Sequence, residues 1–193
     1  MKIILGSASP RRKEILTQAG LDFEILVSDC DEVITKTAPD EIVTELSCQK
    51  AEDVLKKAAD KYGSIDDLIV IGADTIVAFE NTVYGKPSDR ADAIRMLKNL
   101  SGRTHQVYTG VTVITKDKRI GFTACTDVTM YEVSDEDIAA YVDSGEPMDK
   151  AGAYAIQGGF AKYIKGIDGE YNNVVGFPIA RMMYELKCER ICI

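Results

Sequence analysis

The first 27 residues constrain the fold more than any other part of the chain, because their pattern changes twice within a short span. The apolar stretch Lys2–Leu5 predicts a strand, and a turn of small residues then leads into a helix from Pro10 to about Ala19. Gly20 closes this helix, and Phe23–Val27 predicts a second strand. The order of strand, helix and strand is a βαβ opening, which is typical of α/β folds.

The rest of the chain predicts helices and strands in alternation, with strands dominating the middle. A long amphipathic helix covers residues 40 to about 62, and Leu68–Gly72 predicts a buried strand. His105–Thr115 and Arg119–Glu132 predict a hairpin of two long strands. The remaining predictions are a helix capped by Ser88 and running to Leu100, a helix between Ser134 and Gly145, strands at Ala153–Gln157 and Phe160–Ile164, and a last helix at Pro178–Leu186. Without a repeat or linker, residues 1–193 are expected to form one domain.

Composition limits the class of ligand and partner. The net charge of −8 argues against non-specific binding to a nucleic-acid polymer or an anionic membrane surface, so a local basic cluster must hold any phosphate ligand. The five cysteines show no CxxC spacing, which favours neither a zinc site nor a disulfide framework. No apolar run approaches the roughly 20 residues that span a bilayer. We therefore expect a cytoplasmic protein that binds a small molecule.

The turn and first helix carry a candidate anion site. Arg11 and Arg12 follow a suitable N-cap, Ser9, and so fall in the first helical turn, where the helix dipole disfavours cations. A bound phosphate would resolve this conflict, because N–H groups at a helix start and guanidinium groups both bind phosphate oxygens. The alternative is a capped surface helix with two solvated arginines, and this segment alone favours neither.

Two charged residues stand where the local pattern does not require charge. Lys50 lies four residues from both Leu46 and Val54, within the apolar stripe of the long helix. Its ammonium either reaches a partner or extends to water while the stem covers apolar surface, and spacing alone favours the second alternative. Asp74 follows an apolar run, and the carboxyl end of a buried strand is a usual place for catalytic groups in α/β sheets. We therefore interpret Asp74 as catalytic.

Three other polar residues are weaker candidates. Thr75 follows the candidate carboxylate directly, and Lys86 supplies a cation at a Gly-Lys-Pro turn before a capped helix. Such a turn, taken alone, is more often only a turn. Gln157 precedes two glycines and carries both a donor and an acceptor, which suits the edge of a nucleobase, although a surface glutamine is the default interpretation.

The segment Asp29-Cys30-Asp31-Glu32-Val33 supports a rival function. It matches the Asp-x-Asp-x-Val pattern of haloacid dehalogenase-like phosphatases, in which the first aspartate attacks phosphorus. The later acidic pair which that family needs at the end of an apolar strand is missing, since Asp66-Asp67 precede such a run. We treat the pattern as a coincidence, and Glu32 remains a candidate ligand for a metal or water.

Taken together, the motifs resemble those of the Maf family of nucleoside triphosphate pyrophosphatases. These motifs are Ser-Ala-Ser-Pro-Arg-Arg at 7–12, Asp-Glu at 31–32, Lys50, Gly-Ala-Asp-Thr at 72–75, Gly-Lys-Pro at 85–87 and Ala-Tyr-Ala-Ile-Gln-Gly at 153–158. The resemblance implies an α/β fold of two lobes around a mixed, strongly twisted sheet, similar to inosine triphosphate pyrophosphatases, with the nucleotide in the cleft. It also implies hydrolysis of a nucleoside triphosphate to the monophosphate and pyrophosphate. Arg12, Thr75 and Gln157 match the branch that acts on dTTP and UTP.

The resemblance further implies how the site is divided among residues. Asp74 would be the general base, and Glu32 with Asp74 would hold Mg²⁺ or Mn²⁺. The substrate-binding residues would be Ser7, Arg11, Arg12, Lys50, Thr75, Lys86 and Gln157. A second function, regulation of cell division by binding, follows from the family's link to septum formation. The oligomeric state stays open, with a homodimer as one alternative, and the substrate is either a normal or a modified pyrimidine nucleotide.

Overall fold

A seven-stranded mixed sheet organises the protein, whose computed structural model describes residues 1–80 and 82–193. The strands are β1 (Lys2–Leu5), β2 (Phe23–Ile25), β3 (Leu68–Phe79), β4 (Thr82–Tyr84), β5 (Thr104–Ile114), β6 (Arg119–Met130) and β7 (Ile164–Asp168). They follow the order β2-β1-β3-β5-β6-β7, and β4 pairs with β3. β1 lies parallel to β2 and β3, whereas the other pairs are antiparallel. The predicted α/β class with a mixed sheet is confirmed.

The helices lie between and beside these strands. They are α1 (Pro10–Gln18), α2 (Pro39–Tyr62), α3 (Arg90–Leu100), α4 (Asp135–Asp143), α5 (Tyr171–Val175) and α6 (Ile179–Cys188). Local sequence explains several ends: Gly63 ends α2 with a φ of 74°, and the Ser134 side chain accepts a hydrogen bond from the first turn of α4. In the described part of the chain, no helix combines the length and the apolar character needed to cross a membrane.

Hydrophobic clusters cover both faces of the sheet. α2 packs on one face, with Val54 against Val70 of β3. On the opposite face, one cluster joins α1 and α6 to the first half of β3, and another joins α3 and α4 to its second half. β3 contributes Ala73 to the first of these clusters and Val77 to the second. The strand therefore passes from one core to the other near Asp74.

Two glycines allow α2 to lie close to the sheet. A Cβ atom at Gly72 would lie 2.5 Å from the backbone oxygen of Ser47 and 2.6 Å from the backbone nitrogen of Ala51. A Cβ atom at Gly110 on β5 would collide with the backbone of Val43. Because helix backbone cannot yield as a flexible side chain can, both positions require glycine for this approach. The approach places the middle of α2 against the middle of β3.

The region between α4 and β7 differs from the sequence prediction. Ala153–Gln157 and Phe160–Ile164 are predicted as strands, but the chain there forms short 3₁₀ helices at Ala151–Ala153 and Gly159–Tyr163 with a turn between them. Gly152 and Ala153 have φ values of 69° and 59°, which a strand does not accommodate. Ala153, Tyr154 and Phe160 are buried in a core rather than paired in the sheet, and of the two predicted strands only Ile164 belongs to a strand, β7 (Ile164–Asp168). The alternating pattern therefore reflects burial alone.

Smaller differences occur at helix starts and at unpredicted elements. Asp89, and not Ser88, is the N-cap of α3, because the Asp89 side chain accepts from the N–H of Asp92. The backbone N–H of Ser88 donates to the Asp92 carboxylate instead. Ser9 occupies the N-cap of α1 without a side-chain capping bond. β4 and α5 have no counterpart in the prediction, and β7 shares only Ile164 with a predicted strand.

Candidate active site

One edge of β3 loses its neighbouring strand midway along its length. β1 pairs with β3 no further than Ile71, and β4 pairs with it only from Val77 onward. Between these pairings, the described part of the chain places no strand beside this edge of β3. We call this opening, at residues 72–76, the β3 gap. Asp74 and Thr75 lie in it, and their side chains point to opposite faces of the sheet because they are neighbours on a strand.

The position of Asp74 corrects the sequence prediction. Asp74 does not follow the end of a buried strand, because β3 continues through it to Phe79. Pairing with β5 supports β3 from Val70 to Ala78, including a direct pairing of Asp74 with Gly110. The strand end that creates the opening belongs to the neighbour, β1.

On the α2 face of the gap, one ammonium lies between two carboxylates. Lys50 Nζ is 2.5 Å from Asp74 Oδ1 and 2.8 Å from Glu32 Oε1. The side chains of Lys50 and Asp74 are only 17% and 13% exposed, whereas that of Glu32 is 50% exposed. Spacing alone favoured extension of Lys50 to water, and the structure shows instead that its ammonium reaches these two carboxylates. Solvent can enter the cluster from the Glu32 side.

The charges in this cluster decide the state of the lysine. Burial lowers the pKa of Lys50, but the charge and hydrogen bond of Asp74, together with those of Glu32, outweigh it and raise the pKa above its ordinary value. Lys50 is therefore a cation at neutral pH. A cation fixed beside a carboxylate at an opening can attract an anionic ligand to that carboxylate.

On the opposite face of the gap, Arg12 is held entirely by protein groups. Its guanidinium donates four hydrogen bonds, of 2.9–3.1 Å. The acceptors are Ser7 Oγ, Thr75 Oγ1 and the backbone oxygens of Ala73 and Gly176. Burial lowers the pKa of Arg12, yet an arginine side chain keeps its charge in proteins. Arg12 thus joins α1 to the open edge of β3 and to the end of α5.

The charge of Arg11 acts on Asp149, in the turn after α4. The Nε atom of Arg11 is buried and, within the described residues, has no hydrogen-bond partner. A hydrogen bond from Lys150 lowers the pKa of Asp149, and the charge of Arg11 contributes in the same direction. Arg11 therefore leaves hydrogen-bonding capacity unused, in contrast to Arg12.

The loop that carries Gln157 is anchored from α4 and the turn after it. Both carboxylate oxygens of Glu146 accept from the N–H of Gly159 at 3.1 Å, and Glu146 Oε1 also accepts from the Tyr141 hydroxyl at 3.0 Å. A Cβ atom at Gly158 would collide with the same carboxylate. Gln157 itself is exposed at a turn. The structure thus leaves its amide accessible while the backbone beside it is fixed.

Lys86 is exposed in the turn between β4 and α3. The described part of the chain offers its ammonium no ion-pair or hydrogen-bond partner. The preceding residue, Gly85, accepts a backbone hydrogen bond of 3.1 Å from Gly152, so this turn lies beside the segment that leads to Gln157. Among the described residues, no hydrogen bond or ion pair joins Lys86 or Gln157 to the Lys50 cluster or to Arg12.

A protein-family model described as Maf-like protein matches residues 2–189. The chain belongs to the Maf family. It is 52% identical over 197 residues to a dTTP/UTP pyrophosphatase of Agathobacter rectalis, with 96% of each chain covered. It is 50% identical over 187 residues to a protein of the same name from Bacillus anthracis, with 96% of this chain and 94% of the relative covered.

A solved structure of a nucleoside-triphosphatase, a dITP/XTP pyrophosphatase from Mycobacterium abscessus, also aligns with the chain. The alignment covers 98% of this chain and 94% of the solved chain, with 12% sequence identity and a TM-score of 0.41. A likeness this weak supports no argument about the site.

The Maf-family site offers two carboxylates for a divalent cation. The described residues contain no cluster of three histidine, cysteine, aspartate or glutamate side chains that could hold a metal. Glu32 and Asp74 nevertheless converge on one ammonium, and Mg²⁺ is commonly bound by one or two carboxylates with substrate phosphates completing its coordination. The residues present therefore fit a cation that arrives with a nucleotide.

Three residues near Arg12 and Thr75 in this Maf-family chain were missed by the sequence prediction. Gly176 accepts from Arg12, Thr109 lies 2.9 Å from Thr75 through the hydroxyl oxygens, and Asn173 is buried with its amide bonded to β5 and β6. Two adjacent asparagines before an apolar pair and a glycine, at 172–176, were the available signal. Their partners are more than 30 positions away, so local spacing could not identify them.

The rival phosphatase reading has no support in the structure. Asp29 is 82% exposed and pairs with Lys57, two helical turns along α2 from Lys50, so it is not part of the Lys50 cluster. It also lies beyond the end of β2 at Ile25, in an irregular segment. The comparisons likewise favour neither this alternative nor the division regulator.

Proposed function

We propose that this Maf-family protein hydrolyses dTTP and UTP to the nucleoside monophosphate and pyrophosphate. The names of its relatives support this activity. The observation that carries the proposal is the cluster of Lys50, Asp74 and Glu32 at the β3 gap, which combines a base, a cation and a solvent-facing carboxylate. A normal or a modified pyrimidine nucleotide fits this proposal equally.

Asp74 is the proposed general base. Water must attack the α-phosphorus while pyrophosphate leaves, and a positioned carboxylate can accept the proton that the water loses. Lys50 holds this carboxylate in place through the 2.5 Å contact and can turn toward phosphate oxygens once a nucleotide is bound. The base and the phosphate therefore share one lysine.

The remaining cations and donors are proposed to bind the triphosphate. Arg11 has an unused buried Nε, and Lys86 is exposed, so both can approach phosphate oxygens. The Ser7 hydroxyl and the N–H groups at the start of α1 add neutral donors. Arg12 and Thr75, bonded to each other at 3.1 Å, complete the proposed substrate-binding set on the opposite face.

Glu32 and Asp74 are proposed to hold Mg²⁺ or Mn²⁺. When bound, such a cation would reduce the negative charge on the phosphate oxygens at which attack and departure occur. Glu32 is suited to this role because half of its side chain is exposed beside the gap. A cytoplasmic location and a homodimer remain predictions.

Gln157 is proposed to read the base. Uracil and thymine present an N3–H donor between two carbonyl acceptors, and a glutamine amide can pair with one donor and one acceptor. Cytosine inverts the groups at N3 and position 4. An amide oriented for dTTP and UTP would therefore face CTP with mismatched donors and acceptors.

Product analysis tests the proposed reaction. Purified protein incubated with UTP should release UMP and pyrophosphate, and the Asp29→Asn variant should do the same, because Asp29 pairs with Lys57 and not with Lys50. Ion-exchange chromatography of the first turnover separates pyrophosphate from orthophosphate. Orthophosphate as the first product, abolished in Asp29→Asn, would instead establish the phosphatase reaction.

A further inference from the structure

The segment that carries Glu32, between β2 and α2, is not held by hydrophobic packing. Residues 31–37 are all exposed, and Val33 and Ile34 are each 56% exposed. An apolar side chain left in water contributes little to fixing a segment. The position of Glu32 therefore depends on polar contacts.

Four side chains of α2 supply these contacts at regular spacing. Glu45, Gln49, Asp53 and Lys57 are four residues apart and so lie along one stripe of the helix. Lys57 contacts Val27, and Asp53 contacts Ser28 and Asp29. Gln49 contacts Val33, and Glu45 contacts Thr35. We call these four side chains the α2 ladder. The segment thus runs antiparallel to the helix, with one attachment per turn.

The Gln49 attachment is the one next to Glu32. The N–H of Val33 donates to Gln49 Oε1 at 3.0 Å, and Gln49 Nε2 donates to the Val33 oxygen at 2.7 Å. The side-chain amide therefore pairs with both backbone groups of one residue, as a neighbouring strand would. Because Lys50 follows Gln49 and Glu32 precedes Val33, this pairing sets the two partners of the 2.8 Å ion pair opposite each other.

We propose that Gln49 is a positioning residue that holds Glu32 at the Lys50–Asp74 pair and thereby sets the affinity for the divalent cation. This inference rests on the proposed function, in which Glu32 helps to hold that cation. Glutamine suits the task because its amide offers one acceptor and two donors, whereas a glutamate could not donate to the Val33 oxygen. Gln49 acts through Glu32 and does not touch the substrate.

Glu45 provides a matched control. It also makes two hydrogen bonds to the segment, to the N–H and the hydroxyl of Thr35. Glu45→Ala and Gln49→Ala therefore remove the same number of attachments, one beside Glu32 and one three positions away. If the ladder only tethers the segment, the two variants should behave alike.

The experiment measures Mn²⁺ binding directly. Mn²⁺ is titrated into each protein in the presence of the non-hydrolysable α,β-imido analogue of UTP, and free Mn²⁺ is read by electron paramagnetic resonance. Gln49→Ala should weaken binding about tenfold, as is common when a partner that orients a ligand is removed, while Glu45→Ala stays close to wild type. Equal losses in both variants, or no loss in Gln49→Ala, would overturn the proposal.

A double-mutant cycle separates positioning from a general effect on the fold. In the Glu32→Gln background, Gln49→Ala should cause almost no further loss of Mn²⁺ affinity, because the carboxylate that it positions is already absent. Additive losses would contradict the proposal. Gln49→Asn, whose shorter amide cannot span the same distance to Val33, should resemble Gln49→Ala.

Failure of the proposed function would have a different signature. Wild-type protein that releases no pyrophosphate from UTP would refute the proposed reaction, whatever the ladder does. Wild-type protein that does release pyrophosphate, but binds Mn²⁺ equally well with Gln49 or alanine at position 49, would refute only the role of Gln49.

Discussion

Asp74 and Thr75 are adjacent in the chain but serve two different groups of side chains. Asp74 contacts Lys50 on the α2 face of the sheet, and Thr75 contacts Arg12 on the opposite face. A continuous sheet would keep these groups apart. They share one opening because β1 ends before the β3 gap, so that both faces are accessible from the same edge.

Replacement of Asp74 is the most direct test of its proposed role as the general base. Asp74→Asn preserves the shape and a hydrogen bond to Lys50 but removes the basic oxygen, and general-base catalysis contributes about 10²–10⁴-fold. We expect kcat for UTP to fall by that factor while the urea unfolding midpoint changes little. The exposed Asp29→Asn serves as the matched control and should keep wild-type turnover. A normal kcat in Asp74→Asn would show that another residue is the general base.

Gln157→Ala tests the proposed reading of the base. Sites that pair polar groups with a substrate can discriminate by up to about 10⁴-fold, because a mismatched partner leaves desolvated groups unpaired. The variant should lower the ratio of kcat/KM for UTP to kcat/KM for CTP more than it lowers kcat for UTP. An equal loss with both nucleotides would assign Gln157 to the triphosphate or the fold.

At the scale of elements, α2 connects the core to the site. One stripe of the helix packs on β3 and β5, Lys50 reaches Asp74, and the α2 ladder holds the segment that contains Glu32. A shift of the helix would disturb all three. The distance between α2 and the sheet therefore affects the candidate site as well as the packing of the core.

Gly72→Ala tests this dependence. The added methyl group would lie 2.5 Å from the backbone oxygen of Ser47, so α2 must move away from β3. Overpacking of this kind costs about 1–3 kcal/mol of the free energy of unfolding. Gly121→Ala on β6 is the control, because no atom lies within 4 Å of the added Cβ there. Urea unfolding should distinguish the two variants, and equal stability would show that α2 can yield without cost.

At the scale of the whole molecule, a buried histidine links stability to pH. His105, the single histidine of the chain, is fully buried on β5 and lies 2.8 Å through Nε2 from the Tyr154 hydroxyl. Its Nδ1 is buried and has no hydrogen-bond partner among the described residues. Burial lowers the pKa of His105 from 6.5 to about 4. The folded protein therefore keeps this ring neutral in a pH range where the unfolded chain protonates it.

The sign of the pH effect follows from this difference. Above pH 6.5 neither state binds the proton, and between pH 6.5 and about 4 only the unfolded state does, so stability falls as the pH is lowered through this window. The contribution amounts to about 3 kcal/mol at the low end. In His105→Gln, the free energy of unfolding measured with urea should fall less between pH 7 and 4.5 than it does in the wild type. Parallel pH profiles for the two proteins would refute this assignment.

Local sequence by itself determined every α-helix except α5, the βαβ opening, the long hairpin and the family motifs. A helix end depends on residues a few positions apart, such as Gly63 after α2 or Ser134 before α4, and the sequence displays those directly. The residues of the Lys50 cluster were also recognisable, since a lysine in an apolar stripe and a carboxylate after an apolar run both conflict with simple burial.

Tertiary structure alone decided where strands end and which side chains meet. β3 extends to Phe79 because β5 pairs with it as far as Ala78 and β4 pairs with it from Val77 to Phe79. Ala153–Gln157 is not a strand because a core, not a sheet edge, receives its apolar side chains. The partner of Arg12 at Gly176 lies 164 positions away. Hydrogen bonds between distant segments have no local periodicity, so only the folded chain could show that β1 stops short of Asp74 and opens the site.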